Sequence, residues 1–184
     1  RYSAHLFGVP GAALFDAGKS RDHLAMGGDA VATELRRSPR DTCDDWSRVA
    51  ASIADHVRSG AVPADMPVAL HGWQFTASSA LIARAFEIWT HTDDIRRATG
   101  RSLDVPAAAE LRTMSSLSVR ALPDLLRLVH PERSMAATRV VLTGPGGGTF
   151  DIGGSGERVA TITADVVDYC RVAARRLDRD RLAG

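Results

Sequence analysis

What the chain lacks narrows it first. It has only two cysteines in 184 residues, Cys43 and Cys170, far apart. That is too few for a disulfide framework or a cysteine-rich zinc site, and both read as buried small hydrophobes. No charge sign dominates: 23 basic residues stand against 22 acidic ones, a formal net charge of +1. A dedicated nucleic-acid binder usually carries a clear basic excess, so no nucleic-acid partner is expected. No apolar run reaches the roughly 18 residues that would span a bilayer, and no secretory leader pattern is visible at the start. The glycine run Gly144 to Gly148 lacks the Lys-Ser/Thr of a phosphate loop and reads as a hairpin turn. No internal repeat is visible. The expectation is a cytoplasmic protein in a reducing setting, without a membrane partner. An initiator Met is also lacking. The chain opens in mid-segment at Arg1-Tyr2-Ser3-Ala4-His5-Leu6-Phe7, so a preceding segment is expected to be absent.

What is present is enough apolar surface for a core. Hydrophobic residues make up 45% of the chain, and the length suits one ordinary domain or two small ones. Residues 20–37 read as partly helical, with Ser20 as a cap and Gly27-Gly28 as an interruption. A helix is expected from about Asp41 to Arg58, with Trp46, Val49, Ile53 and Val57 on one face, ended by Gly60 and Pro63. Residues 61–77 read as a connection carrying His71-Gly72-Trp73. The next helix is expected from a Ser78 cap to near Gly100, and a further one from Pro106 to Val129 with a disturbance at Pro123. Beyond residue 132 the pattern changes. Thr138–Thr143, Thr149–Ile152 and Val159–Thr163 read as strands. A final helix follows, with Val166, Val167, Cys170, Val172 and Ala173 inward. The fold class is therefore mainly α, with a helical domain over residues 1–132 and a small α+β domain over 133–184.

Glu87 and His91 are the most informative residues. They lie four apart in a mostly apolar helical segment, so a carboxylate oxygen and an imidazole nitrogen share one face. A buried carboxylate is costly unless it is paired or metal-bound. The commoner meaning of such spacing is a helix-surface ion pair; the sharper one is half of a metal site. Zinc sites that do chemistry use three protein ligands and an open position, and His₂Glu is one such set. His5, His23, His56 and His71 could each supply the second imidazole, with His130 a poorer candidate.

The flanks carry a resemblance. Ala4-His5-Leu6, the stretch Ala83-Arg84-Ala85-Phe86-Glu87-Ile88-Trp89-Thr90-His91-Thr92-Asp93-Asp94-Ile95, and Ala98-Thr99-Gly100-Arg101 resemble the mycothiol-dependent maleylpyruvate isomerase family, within the DinB-like metal-binding superfamily. Thr33 to Pro39 and Trp46 are similar to its intervening helix, and the β-rich tail to its small C-terminal domain. The resemblance implies a DinB-like four-helix bundle whose first helix would precede residue 1. It implies a divalent metal, usually Zn²⁺, held by His5, Glu87 and His91, with Asp94 orienting an imidazole or closing the helix. It implies mycothiol, a low-molecular-weight thiol of actinobacteria, as a co-substrate. Its thiolate, favoured at a metal, is the nucleophilic form for isomerisation or S-transfer on a small electrophile. A homodimer partner or an N-terminal segment would complete the bundle. Arg84 and Arg171 are candidates to pair with an acidic substrate, ahead of Arg158, Arg175 and Arg176; solvated surface arginines are the plainer reading. Two rivals stand beside this: a hydrolase with water in place of the thiol, and a non-catalytic metal-stabilised binding or regulatory module.

Overall fold

The computed structural model describes residues 7–10, 31, 32, 34–70, 73–157, 159–178 and 180. His5 with its Ala4-His5-Leu6 stretch, His23, His71 and Arg158 lie outside the described residues, as does most of the 20–37 segment. The chain is mainly helical with a small β part, and it divides into two compact units, Arg1–Ala80 and Leu81–Gly184.

In the first unit, helix α1 spans Pro39–Arg58. Ser38 starts it: its Oγ accepts from the Asp41 amide at 3.1 Å, and Pro39 takes the first position, where no N–H is needed. Gly60, at φ 77°, closes it as a left-handed residue whose amide donates to Val57 O at 3.1 Å. Of the expected apolar face, Val49, Ile53 and Val57 are half-buried, but Trp46 is 61% exposed. Cys43 is exposed too, against expectation.

Residues 61–77 are more than a connection. Strands β1 (Pro67–Leu70) and β2 (Trp73–Thr76) pair antiparallel, Val68 opposite Phe75 and Leu70 opposite Trp73. Four-residue strands are too short for alternation to stand out in a sequence. Helix α2 (Ala77–Ala98) follows directly. Its cap is Thr76 rather than Ser78, since Thr76 Oγ1 accepts from the Ser79 amide at 3.2 Å. Its end is a Schellman turn. Gly100, at φ 67°, donates to Arg97 O at 3.2 Å and Arg101 donates to Arg96 O at 2.8 Å.

The second unit begins inside α2. Helix α3 spans Ala108–Val129 and continues through Pro123. Pro106 lies just outside it, and Glu110 reaches back to accept from the Ala107 amide at 3.0 Å. Leu111, Met114, Ser115 and Val119 form its buried stripe at helical spacing. A three-stranded sheet has the order β4-β3-β5: β3 (Thr138–Thr143) runs antiparallel to β4 (Gly148–Ile152) and parallel to β5 (Ala160–Asp165). Alternation along β3 buries Thr138, Val140 and Leu142 on one face. Asp165 accepts from the Val167 and Asp168 amides and so starts the last helix, α4 (Val166–Ala173). Val166, Tyr169 and Cys170 are its buried residues, whereas Ala173, expected inward, is exposed. Trp89 of α2 joins Leu111, Met114, Val140, Phe150, Val166 and Cys170 in one apolar cluster. That cluster anchors the middle of α2 and thereby sets which way its polar face points.

The glycine-rich turn is tight for a reason outside the hairpin. A Cβ on Gly146, at φ 80°, would sit 2.2 Å from the Ala108 carbonyl oxygen at the start of α3. Arg112 crosses the same corner, donating to Gly147 O at 2.7 Å with its guanidinium 4.9 Å from the Phe150 ring centre.

Candidate functional site

Glu87, His91 and Asp94 follow one another along α2 at spacings of four and three, so they share a face. His91 Nε2 lies 3.9 Å from Glu87 Oε1, and His91 Nδ1 lies 3.4 Å from Asp94 Oδ2. The imidazole is thus flanked by a carboxylate at each nitrogen. The other Glu87 oxygen accepts from Arg84, one turn earlier. The Glu87 side chain is 42% exposed and that of His91 60%. The pair is therefore wet, and the cost of burying a carboxylate gives it no special meaning. Its geometry does.

Asp94 is held from its far side by Arg176. Arg176 Nε donates at 3.0 Å to Oδ1 and at 3.2 Å to Oδ2, and Nη2 donates to Oδ2 at 2.6 Å. These hydrogen bonds, more than the accompanying charge attraction and the contact with His91, hold the Asp94 carboxyl below its ordinary value of 3.8. Arg176 moves the opposite way, raised by the same bonds.

The neighbouring Asp93 turns inward. Its side chain is 2% exposed and that of Arg171, on α4, is 15% exposed. Arg171 Nε donates to Asp93 Oδ2 at 3.2 Å. Nη2 also lies 3.2 Å from that oxygen but off the hydrogen-bond direction, so Asp93 Oδ1 and Arg171 Nη2 have no hydrogen-bond partner among the described residues. The guanidinium lies 6.0 Å from the Trp89 ring centre. Two adjacent carboxylates of α2 are thus tied to two arginines at the end of the chain, one pair buried and one at the surface.

A tetrahedral zinc ion bonds nitrogen and oxygen at about 2.0–2.2 Å, which sets two of its donors about 3.4 Å apart. Glu87 Oε1 and His91 Nε2, at 3.9 Å, lie about half an ångström wider than that, a gap that a small side-chain rotation at this exposed face closes. Among the described residues, no group of three His, Cys, Asp or Glu side chains is placed to hold a metal. The third ligand implied by the resemblance, His5, lies outside the described residues, as do His23 and His71. His56 belongs to the last turn of α1. His130 caps the end of α3, with Nδ1 3.6 Å from Glu132 Oε1.

A cleft of about 710 Å³ opens along a different stripe of α2, against α3 and the segment before it. Leu81, Ala85, Ile88 and Thr92 line it from α2, with Pro106 and Met114 opposite; neither Glu87 nor His91 does. Of the two arginines favoured for an acidic substrate, Arg84 pairs with Glu87 and Arg171 with Asp93. The roles of Asp93 and Arg176 escaped local reading, because their partners lie 78 and 82 positions away.

The chain is similar to two proteins from two strains of Mycobacterium tuberculosis, each described only as an uncharacterized protein. The match to each is 31% identical over 150 residues, 80% of this chain and 56% of the relative. The chain therefore spans little more than half the length of the curated relatives it matches. No family model matches the chain, and no solved structure matches it.

Proposed function

We propose that this chain carries the metal-binding part of a thiol-dependent enzyme of the mycothiol-dependent maleylpyruvate isomerase kind, built on a DinB-like bundle. Its substrate would be a small electrophile taken together with a low-molecular-weight thiol. The observation that carries the reading is the facing of Glu87 Oε1 and His91 Nε2 across 3.9 Å on one face of α2. Glu87 and His91 would hold a divalent metal, with His5 as third ligand by resemblance. A metal there would keep a bound thiol in its thiolate form at neutral pH. The remaining work falls to the chain's own side chains. Arg84 occupies Glu87 Oε2 and leaves Oε1 to the metal side, while Asp94 sits at His91 Nδ1 and leaves Nε2 free. The matched relatives come from an actinobacterium, the group in which mycothiol occurs.

The test is elemental analysis of protein purified without chelator, followed by cobalt substitution and titration with thiols. About one divalent metal per chain is expected, lost in Glu87→Ala and His91→Ala, with a cobalt spectrum that changes on adding thiol. Absence of stoichiometric metal would sink the reading. A metal-bound protein whose spectrum ignores thiols would favour the hydrolase instead.

A further inference from the structure

The final helix ends in a turn that glycine would ordinarily make. Arg175 has φ 57°; its amide donates to Val172 O at 2.9 Å, and the Arg176 amide donates to Arg171 O at 2.8 Å. This is a Schellman turn with a non-glycine residue in the left-handed position. The reversal sends the Arg176 side chain back over the helix end, where Nη1 donates to Ala174 O at 2.7 Å. That bond fixes the plane of the guanidinium and leaves Nε and Nη2 for the Asp94 carboxylate. Asp94 Oδ2, which accepts from Nη2, is also the oxygen 3.4 Å from His91 Nδ1.

From this geometry we propose that Arg176 is a positioning residue for His91, acting through Asp94. The fork holds the carboxylate in one orientation, with its Oδ2 nearer Nδ1 (3.4 Å) than Glu87 Oε1 is to Nε2 (3.9 Å). An acceptor there favours the imidazole tautomer that carries its proton on Nδ1 and keeps a lone pair on Nε2. A lysine would supply the charge without the planar fork. The purpose rests on the metal reading given above; the geometry does not.

The experiment uses the full chain labelled with ¹⁵N-histidine. Long-range proton–nitrogen correlation at about pH 8.5, where an ordinary imidazole is neutral, reads the tautomer. His91 is assigned among the six histidines by His91→Gln. In the wild type the Nδ1–H form should dominate. Arg176→Gln should shift the population severalfold toward Nε2–H, and Arg176→Lys should shift it the same way, which keeps the test valid if the glutamine variant folds poorly. Competition titration with zinc should show about a tenfold loss of affinity for Arg176→Gln and none for Arg120→Gln, an exposed arginine on α3. An unchanged tautomer and unchanged zinc affinity in Arg176→Gln would overturn the proposal. Full rescue by Arg176→Lys would overturn the fork. If the wild type binds no zinc but Arg176→Gln still moves the tautomer, the metal reading fails and the positioning role stands.

Discussion

Replacing Arg171 by Met should destabilise the protein far more than an arginine-to-methionine change normally does. Among the described residues the guanidinium is the one charged group hydrogen-bonded to Asp93, whose side chain is 2% exposed and already has one oxygen without a partner there. Methionine fills similar volume but leaves a buried carboxylate uncompensated. Breaking a buried pair from one side costs about 3–5 kcal/mol, and the 15% exposure of Arg171 argues for the lower end, about 3 kcal/mol. Asp93→Leu should cost about 2 kcal/mol, because Arg171 keeps its place near Trp89 and some access to water. The double variant removes both charges and the orphaned oxygen together. It should lie within about 1 kcal/mol of the wild type, since an apolar pair of similar volume is often neutral or better. Urea unfolding at pH 7, followed by Trp89 fluorescence in a background with Trp46 and Trp73 changed to Phe, reads the unit that holds the pair. The expected signature is non-additivity of about 4–6 kcal/mol, because the double variant recovers nearly all of the cost of the two single changes. A loss below about 1 kcal/mol in Arg171→Met, or simple additivity, would refute the reasoning.

Three further outcomes follow from other parts of the fold. Burial, with a smaller contribution from Asp165, pushes the Cys170 thiol from 9.0 up to about 12. One thiol, that of exposed Cys43, should therefore react with a disulfide reagent at neutral pH in the native protein, and both should react in denaturant. Because the folded-state value is the higher one, the stability linked to Cys170 is complete below about 9 and drains away as pH rises toward 12; rapid labelling of two native thiols would contradict its burial. Asp94 shifts the other way. Its contribution is present above 3.8 and lost as pH falls through its lowered folded value, so the melting-temperature gap between wild type and Asp94→Asn should close below about pH 4. A gap independent of pH would show that the Arg176 contact contributes nothing. Gly146→Ala should cost roughly 2 kcal/mol or more, because its Cβ meets Ala108 O. Gly60→Ala, at φ 77° but in open space, should cost only the left-handed strain of about 1–2 kcal/mol. Equal melting temperatures for the two variants would show that the turn does not press on α3.

How much of this was legible in the sequence depended on the range of the forces involved. Helix α1 and strand β3 were readable because the helical spacing of Val49, Ile53 and Val57 and the β-branched run Thr138–Thr143 act locally, although α1 opens at Pro39 behind the Ser38 cap, two residues before the expected Asp41. The β1–β2 hairpin was not, because its strands are short and the residues joining them, His71 and Gly72, read as loop. Thr76 displaced Ser78 as the cap because the strand runs straight into the helix, a junction that side-chain preference alone does not reveal. The Glu87/His91 pair stood out through its spacing, and Asp94 beside His91 only through the family resemblance. The arginines opposite them did not. Arg171 and Arg176 look like any solvated arginines until the last helix is packed against α3 and the sheet, which brings them to α2, and that packing is a property of the whole core.

The order in which the chain is made gives those long-range pairs another meaning. Asp93 and Asp94 leave the ribosome 78 and 82 residues before Arg171 and Arg176. At synthesis rates of 5–20 residues per second, the carboxylates are made about 4–16 s before their partners exist. Through that interval Asp93 is a charge that α2 cannot bury, so its helix has to remain solvated until α4 arrives. The contact that seals Asp93 and the contact that orients Asp94 come from two arginines only five positions apart, Arg171 and Arg176. The face of α2 carrying His91 is thus completed by side chains made 78 and 82 positions after the carboxylates they hold.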